Sequence, residues 1–195
     1  MKIIPRFLLD ALKKSFRSSR IVIIVGSRQV GKTTLMRMYK DHIGKGYRAF
    51  YFNLEDVADL NACQDINSLK GYLRDNGVDV QEERIFILID EFQYIKNATK
   101  LLKEIYDLFP RIRVLASGSS SIEIQKHLKE SLAGRKRVYV LYTLSMEEFI
   151  RFKDEEEFLK FSKLDFRAAS KPVVEKYTKG YLNEYLLYGG YPKVT

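Results

Sequence analysis

The chain has 195 residues, of which 46% are hydrophobic and 30% are charged, a composition typical of an ordered globular protein rather than a disordered one. No apolar run approaches the length needed to cross a bilayer, and the first residues lack the apolar core of a signal peptide. Cys63 is the only cysteine, which excludes an intramolecular disulfide and fits a reducing compartment. These features predict a cytoplasmic protein without a membrane partner, in which Cys63 is a small buried residue.

The net charge of +9 is concentrated in the first 45 residues, which hold eleven Lys and Arg against two Asp. The remaining residues hold 23 basic and 23 acidic side chains and are neutral overall. Lys13, Lys14 and Arg17 share the first predicted helix. A basic surface of this kind attracts nucleic acid or an acidic partner. A solvated helix surface has the same composition, so both interpretations stay open.

Strands and helices alternate along the chain, which is the pattern of an α/β fold with a mostly parallel sheet. The first helix begins near Pro5, which suits a first helical turn, and its apolar residues recur at helical spacing from Leu8 to Phe16. Predicted strands occupy residues 21–25, 48–54, 84–89, 111–116 and 137–141. Predicted helices occupy residues 32–43, 57–76 in two pieces, 98–109 and 122–130.

The first predicted strand leads directly into a glycine-rich loop with the spacing G-x-x-x-x-G-K-T. This spacing is that of the phosphate-binding loop of nucleotide hydrolases. The glycines let the loop amides face the phosphate oxygens, Lys32 reaches the β- and γ-phosphates, and the Thr33 hydroxyl ligates Mg²⁺. The N-terminus of the following helix favours the same anion. We expect a nucleoside triphosphate to bind at Gly26, Ser27, Arg28, Gln29, Val30, Gly31, Lys32, Thr33 and Thr34.

A second candidate site is the pair Asp90-Glu91, which follows the third predicted strand. This position places the carboxylates at the carboxyl end of the sheet, where ligands of α/β proteins bind. Asp90 is suited to hold Mg²⁺ through a water molecule, and Glu91 is suited to polarise the water that attacks the γ-phosphate. A charged turn after a strand has the same sequence. The upstream phosphate-binding loop favours a catalytic pair over a plain turn. Glu91 in turn favours hydrolysis over phosphotransfer, because a phosphotransferase must exclude water.

Five motifs together resemble one known family. They are S-R-Q-V-G-K-T-T-L at residues 27–35, L-I-D-E-F-Q at 88–93, A-S-G-S-S-S at 116–121, L-A-G-R at 132–135 and L-Y-T-L-S-M-E-E-F at 141–149. The family is that of the prokaryotic ATPases of the AAA+ type, related to the archaeal ATPase and STAND groups. Three positions depart from its usual motifs: Ser27 and Thr143 each replace a proline, and Ser117 replaces a threonine.

The resemblance implies a three-layer P-loop NTPase fold with a five-stranded, mostly parallel sheet. In the AAA+ strand order, the fourth strand lies between the P-loop strand and the Asp90 strand. Ser117 would then occupy the sensor position, between the acidic pair and the γ-phosphate. Ser119 is the second choice for this role, and Ser120 is instead suited to cap the next helix.

The resemblance also assigns roles to two arginines. Arg135 matches an arginine that relatives supply to a nucleotide, often across a subunit boundary, where a guanidinium neutralises charge during phosphoryl transfer. This role implies a homo-oligomer, whereas the alternative is a plain basic turn. Arg6 resembles an arginine that lies near the nucleotide in relatives.

The C-terminal part of the chain differs in character from the core. Ser145 and Glu148 have the spacing of a capping box, which predicts the start of a helix, and apolar positions recur at helical spacing over residues 173–187. We expect residues 1–142 to form the P-loop ATPase core with its N-terminal helix. Residues 143–195 are expected to form a helical lid or the start of a winged-helix region, in a truncated chain whose relatives continue into a further domain.

Three functional classes fit these features. The first is a Mg²⁺-dependent ATPase that acts as a switch or motor on an unidentified partner. The second is a nucleic-acid-binding protein that uses ATP as a structural ligand, and the third is a P-loop kinase. Adenine is the expected base, because the sequence lacks the Asn-Lys-x-Asp motif that reads guanine.

Overall fold

The structure, a computed structural model, describes residues 6–17, 20–119, 134–163, 172, 175 and 178–192. The chain divides into two compact units. The larger unit contains Leu8–Ser27 and Lys32–Leu141, and the smaller unit contains Met1–Phe7, Arg28–Gly31 and Tyr142–Thr195. None of the helices in the described ranges combines the length and the apolar character that a membrane span requires.

The larger unit is built on a five-stranded sheet. Its strands are β1 (Ile21–Val25), β2 (Arg48–Asn53), β3 (Ile85–Asp90), β4 (Ile112–Gly118) and β5 (Lys136–Val140). The spatial order is β2-β3-β4-β1-β5, and all four neighbouring pairs are parallel. This order places the fourth strand between the P-loop strand and the Asp90 strand, which confirms the fold and the strand order that the sequence predicted.

Helices follow the strands in the alternation that the sequence predicted. The larger unit carries α2 (Lys32–Lys40), α3 (Val57–Ala62), α4 (Ile66–Asp75) and α5 (Ala98–Leu108), and α1 (Phe7–Ser15) precedes the first strand. The side chains of Asp56 and Asp65 accept hydrogen bonds from the first turns of α3 and α4. These caps explain why residues 57–76 form two helices rather than one.

The core of the larger unit lies against the apolar strands. β1 and β3 are buried along their whole length, which fits their uninterrupted aliphatic sequences. Cys63 belongs to the same core and is fully buried, as the sequence analysis expected. Burial raises the pKa of its thiol to about 12, so the thiolate that would make it a nucleophile is suppressed at neutral pH.

The smaller unit contains α6 (Met146–Lys153), α7 (Glu155–Phe161), α8 (Asn183–Tyr188) and a π-helical segment, Thr178–Leu182. Ser145 and Glu148 form the predicted capping box at the start of α6. The helix predicted over residues 122–130, the Ser120 cap and most of residues 173–177 lie outside the described residues. The division at residue 142 into a core and a lid stays a prediction.

One buried ion pair organises the start of α6. Arg6 Nε lies 3.0 Å from Glu148 Oε1, and both side chains are less than a tenth exposed. The Arg6 guanidinium also donates to the carbonyl oxygens of Val30 at 2.8 Å and Tyr142 at 2.9 Å. Arg6 therefore ties the middle of the glycine-rich loop to the segment that leads into α6, within the smaller unit.

Candidate functional site

The glycine-rich loop joins the end of β1 to the start of α2. The helix begins at Lys32, so the lysine occupies the first helical turn, as the motif predicts. Gly31 has a φ of 97°, a backbone region that glycine enters without steric cost. Gln29 has a φ of 66°, a left-handed conformation that the motif did not predict. The other predicted contacts differ in exposure: Gly26 and Val30 are buried, whereas Ser27, Arg28 and Thr34 are exposed.

Lys32 is only 5% exposed, yet its ammonium group has three oxygen neighbours. It donates to the carbonyl oxygens of Gly26 and Ser27, each at 3.1 Å, and lies 3.8 Å from Glu91 Oε1. A buried ammonium costs free energy unless it is paired, and these oxygens supply the pairing. The loop lysine and the acidic pair therefore meet at one edge of the sheet, where β1 and β3 both end.

Asp90 is the last residue of β3 and is 2% exposed. Each of its carboxylate oxygens accepts a hydrogen bond: the Ser117 hydroxyl donates to Oδ1, and the Tyr51 hydroxyl donates to Oδ2 at 2.9 Å. Burial, with the Asp90 carboxylate adding to it, raises the pKa of Tyr51, so this hydroxyl keeps its proton and remains a donor. Sequence analysis missed Tyr51 because it lies in an aromatic strand where packing alone explains a tyrosine.

Glu91 follows β3 in a left-handed conformation, with φ 59° and ψ 46°. Its Oε2 accepts a hydrogen bond from Gln93 Nε2, and its backbone N–H donates to the Ser117 hydroxyl at 3.4 Å. The Glu91 side chain is 22% exposed, so it is the more accessible member of the acidic pair. Accessibility to water is what a group that activates water requires. The sequence motif included Gln93, but gave it no role.

Ser117 lies between the two acidic residues and is fully buried. Its hydroxyl donates to the Asp90 carboxylate and accepts from the Glu91 backbone, so it bridges the pair. Its predicted contact with a γ-phosphate stays a prediction. Ser119, the second choice for a sensor, contributes its backbone N–H, which donates to Gln93 Oε1 at 3.2 Å.

Arg135 lies at the opposite edge of the sheet. It directly precedes β5, whose first residue, Lys136, pairs with Ile21 at the start of β1, whereas the glycine-rich loop follows the end of β1. Its guanidinium donates to Asp107 at 3.2 Å and lies over the ring of Tyr106. This arginine therefore does not join Lys32 and Glu91 within one chain, and its predicted role across a subunit boundary stays a prediction.

The donors at this edge suit a magnesium ion. Asp90 offers carboxylate oxygens and Thr33, which is half-buried, offers a hydroxyl; both are hard ligands of the kind that Mg²⁺ prefers. No group of three or more His, Cys, Asp or Glu within the described ranges is arranged to hold a metal. One carboxylate and one hydroxyl nevertheless suffice for Mg²⁺ that arrives with a nucleotide, because the phosphates and water supply the other ligands.

The strand order, together with a loop lysine beside an acidic pair at the carboxyl edge, defines the class of the protein as a P-loop ATPase of the AAA type. The family model described as an AAA domain matches residues 18–150. The chain belongs to this AAA domain family.

The curated relatives are uncharacterized proteins from distant organisms. One from Methanocaldococcus jannaschii is 28% identical over 154 residues, which cover 74% of this chain and 32% of the relative. A second from the same archaeon is 26% identical over 91% of this chain and 36% of the relative. A protein of Haemophilus influenzae is 25% identical over 89% of this chain and 40% of the relative. The chain therefore spans about a third of the length of these relatives.

Among solved structures, the chain is similar to the Walker-type ATPase of Pyrococcus abyssi. The two superpose with a TM-score of 0.56 at 16% sequence identity, over 97% of this chain and 65% of the other. At this identity the likeness supports the fold alone.

Proposed function

We propose that the protein binds ATP with Mg²⁺ and hydrolyses it. The observation that carries this proposal is the 3.8 Å separation of Lys32 Nζ and Glu91 Oε1, with Asp90 directly before Glu91. A cation for the terminal phosphate and a carboxylate for the attacking water lie side by side. The partial exposure of Glu91 to water favours hydrolysis over phosphotransfer, because a kinase must keep water from the phosphate.

Each residue has a defined task in this proposal. When ATP binds, Lys32 exchanges its two carbonyl partners for oxygens of the β- and γ-phosphates. In a water-poor site its positive charge strongly stabilises the negative charge on these oxygens. Glu91 accepts a proton from the attacking water, and the Ser117 hydroxyl links the Asp90 carboxylate to the Glu91 backbone. Asp90 and Thr33 would hold Mg²⁺, which neutralises charge on the phosphates.

Phosphate release from ATP, measured with and without Mg²⁺, tests the proposal directly. Lys32→Ala is expected to abolish ATP binding and turnover, because it removes the only cation that lies beside Glu91 in the larger unit as described. Lys40→Ala, at the other end of α2, makes the same chemical change away from the loop and serves as the control. Transfer of phosphate to a small acceptor with little release to water would identify a kinase and contradict the proposal.

We further propose that hydrolysis drives a switch or motor on an unidentified partner, in the cytoplasm. The AAA domain family and the placement of Arg135 away from Lys32 support a homo-oligomer, in which one chain supplies Arg135 to the next. Turnover that rises with protein concentration and is lost in Arg135→Ala supports this arrangement. Turnover that is independent of concentration and survives the substitution contradicts it.

A second candidate function is nucleic-acid binding, which a cavity of about 260 Å³ in the larger unit favours. Its lining includes Lys13, Arg17, His42 and Arg113 around an aromatic floor, and none of the lining side chains that the structure describes is acidic. Three cationic side chains around one cavity, those of Lys13, Arg17 and Arg113, suit a phosphate backbone.

Retention on single-stranded DNA tests this second function. We expect retention at low salt that falls steeply as salt rises and is lost in the double variant Lys13→Ala/Arg17→Ala. The matched control is Lys96→Ala/Lys103→Ala, which removes the same charge from another surface of the unit. Equal retention by both double variants would contradict a role for the cavity.

A further inference from the structure

The side chain of Gln93, the last residue of the D-E-x-Q motif, contacts both Glu91 and the residue that follows β4. It belongs to the 3₁₀ turn Phe92–Tyr94 that follows the acidic pair. Its Nε2 donates to Glu91 Oε2, and its Oε1 accepts from the Ser119 backbone N–H at 3.2 Å. The Ser119 N–H is an obligatory donor, so the amide oxygen must face it and the amide NH₂ must face the carboxylate.

Close packing holds the 3₁₀ turn against β4. A Cβ added at Gly118 would collide with the ring of Phe92 and would lie 2.8 Å from Gln93 Oε1, closer than real carbon contacts allow. A glycine at this position therefore lets the turn approach the strand. The approach brings the amide of Gln93 within reach of Ser119, whose backbone follows the end of β4.

The Glu91 carboxylate has two contacts, and only one of them is expected to persist during ATP turnover. On the Oε1 side lies Lys32 at 3.8 Å, and in the proposed reaction this ammonium turns to the phosphates. On the Oε2 side lies Gln93, which has no part in phosphate binding and is fixed by Ser119. Gln93 is therefore the contact that would persist through turnover.

We infer that Gln93 is a positioning residue that holds Glu91 in the orientation for accepting a proton from water, and that it ties this orientation to the end of β4. The inference rests on the proposed hydrolysis, since it gives Gln93 a task only if Glu91 acts on water. A correctly aimed carboxylate lowers the barrier without changing how ATP binds. Loss of Gln93 should thus lower kcat and leave KM almost unchanged.

Gln93→Glu is the sharpest variant. It keeps the size of the side chain and the oxygen that accepts from Ser119, but it replaces the donor to Glu91 with a carboxylate oxygen and adds a negative charge beside Glu91. We expect kcat to fall about 10- to 100-fold, the range seen when a partner that orients an active group is removed. KM should change by less than about threefold, and the melting temperature should stay near that of the parent. Gln81→Glu, an exposed site in the same unit, is the matched control.

A double variant separates positioning from a merely structural role. Gln93→Ala should lower kcat in the parent, but should cause no further loss in a chain that already carries Glu91→Gln, because residues that act through one another are not additive. Equal losses in both backgrounds, or a parental kcat in Gln93→Glu, would overturn the inference. If Glu91→Gln itself turns over at the parental rate, the proposed hydrolytic role of Glu91 fails, and the inference fails with it. If Glu91→Gln loses turnover and Gln93→Glu turns over at the parental rate, only the inference fails.

Discussion

Glu91 and Glu148 are two carboxylates that each lie beside a buried cation, but their surroundings differ. Glu148 is 6% exposed, and its carboxylate lies 3.0 Å from Arg6 Nε. It also accepts the backbone N–H groups of Phe7 at 2.8 Å and Ser145 at 3.0 Å. Glu91 is 22% exposed and lies 3.8 Å from Lys32, and its one close side-chain partner within the described residues is Gln93.

The difference indicates that the Arg6–Glu148 pair supports the fold, whereas the Lys32–Glu91 pair is free to change partners in the proposed reaction. A buried pair whose carboxylate also accepts backbone N–H groups stabilises a single arrangement, and removing one partner is costly. A looser, partly exposed pair can exchange partners at little cost. Because both pairs join a carboxylate to a cation, the same substitution at the two glutamates should give opposite results.

The largest expected effect is on turnover in Glu91→Gln. The substitution preserves shape but removes the proton acceptor, so kcat should fall about 10³-fold, within the range for a general base. ATP should still bind, since Lys32 and the loop are intact. Phosphate release and nucleotide binding measured on the same preparation check this, and a variant that hydrolyses ATP as fast as the parent contradicts the assignment.

Glu148→Gln should instead act on stability. It leaves the Arg6 guanidinium buried without its counter-charge, which costs about 3 kcal/mol of unfolding free energy. Urea unfolding, analysed by linear extrapolation, measures the loss, and the turnover of the folded fraction should fall far less than in Glu91→Gln. A parental unfolding midpoint would show that Arg6 finds other partners and that the pair does not hold the fold.

Gly118→Ala tests whether close packing supports Glu91. The added Cβ collides with Phe92 and Gln93, so we expect about 2 kcal/mol of destabilisation from overpacking and a lower kcat as the 3₁₀ turn shifts. Gly71→Ala is the control, because a Cβ there meets nothing within 4 Å and lies inside α4, where alanine is favoured. If Gly118→Ala is as stable and active as Gly71→Ala, the contact does not constrain the site.

The smallest effect is expected for Tyr51→Phe. This change removes one hydrogen bond to Asp90, worth about 1 kcal/mol, and leaves the ring in place. We expect the Mg²⁺ concentration for half-maximal turnover to rise by about threefold to tenfold with little change in kcat. Tyr72→Phe, which removes a hydroxyl from a ring packed on Phe52, is the comparison; an equal response in both variants would remove Tyr51 from the metal site.

The sequence predicts the framework of the molecule because its strands are aliphatic runs and its loop has fixed spacing. β1, the two helices α3 and α4, and the capping box of α6 all lie where the pattern placed them. Strand ends moved by one or two residues: β3 extends to Asp90 and β4 to Gly118. Whether a polar residue at the end of a strand still pairs with the neighbouring strand depends on that neighbour. The local sequence pattern carries no information about the neighbour.

The contacts made by single side chains were not predictable. Tyr51 reaches Asp90 from the neighbouring strand, and Gln93 reaches Glu91 only because the residues after β3 form a 3₁₀ turn. A capping-box glutamate gives no sign that Arg6 also binds it. By contrast, the sequence is sufficient to predict that Arg135 lies at the amino edge of the sheet. In a parallel sheet, a residue just before a strand is at the amino edge, whereas Lys32 and Asp90 follow their strands.

The left-handed backbone of Glu91 has a consequence for how the protein can change. A glutamate in this conformation costs about 1 kcal/mol or more relative to a glycine, so the rest of the larger unit holds the chain in a conformation it would otherwise avoid. Selection for thermal robustness alone would favour Gly or Asn at position 91. In the proposed reaction the same glutamate is the proton acceptor, so position 91 would combine a loss of stability with a gain in activity, a trade-off known from natural proteins.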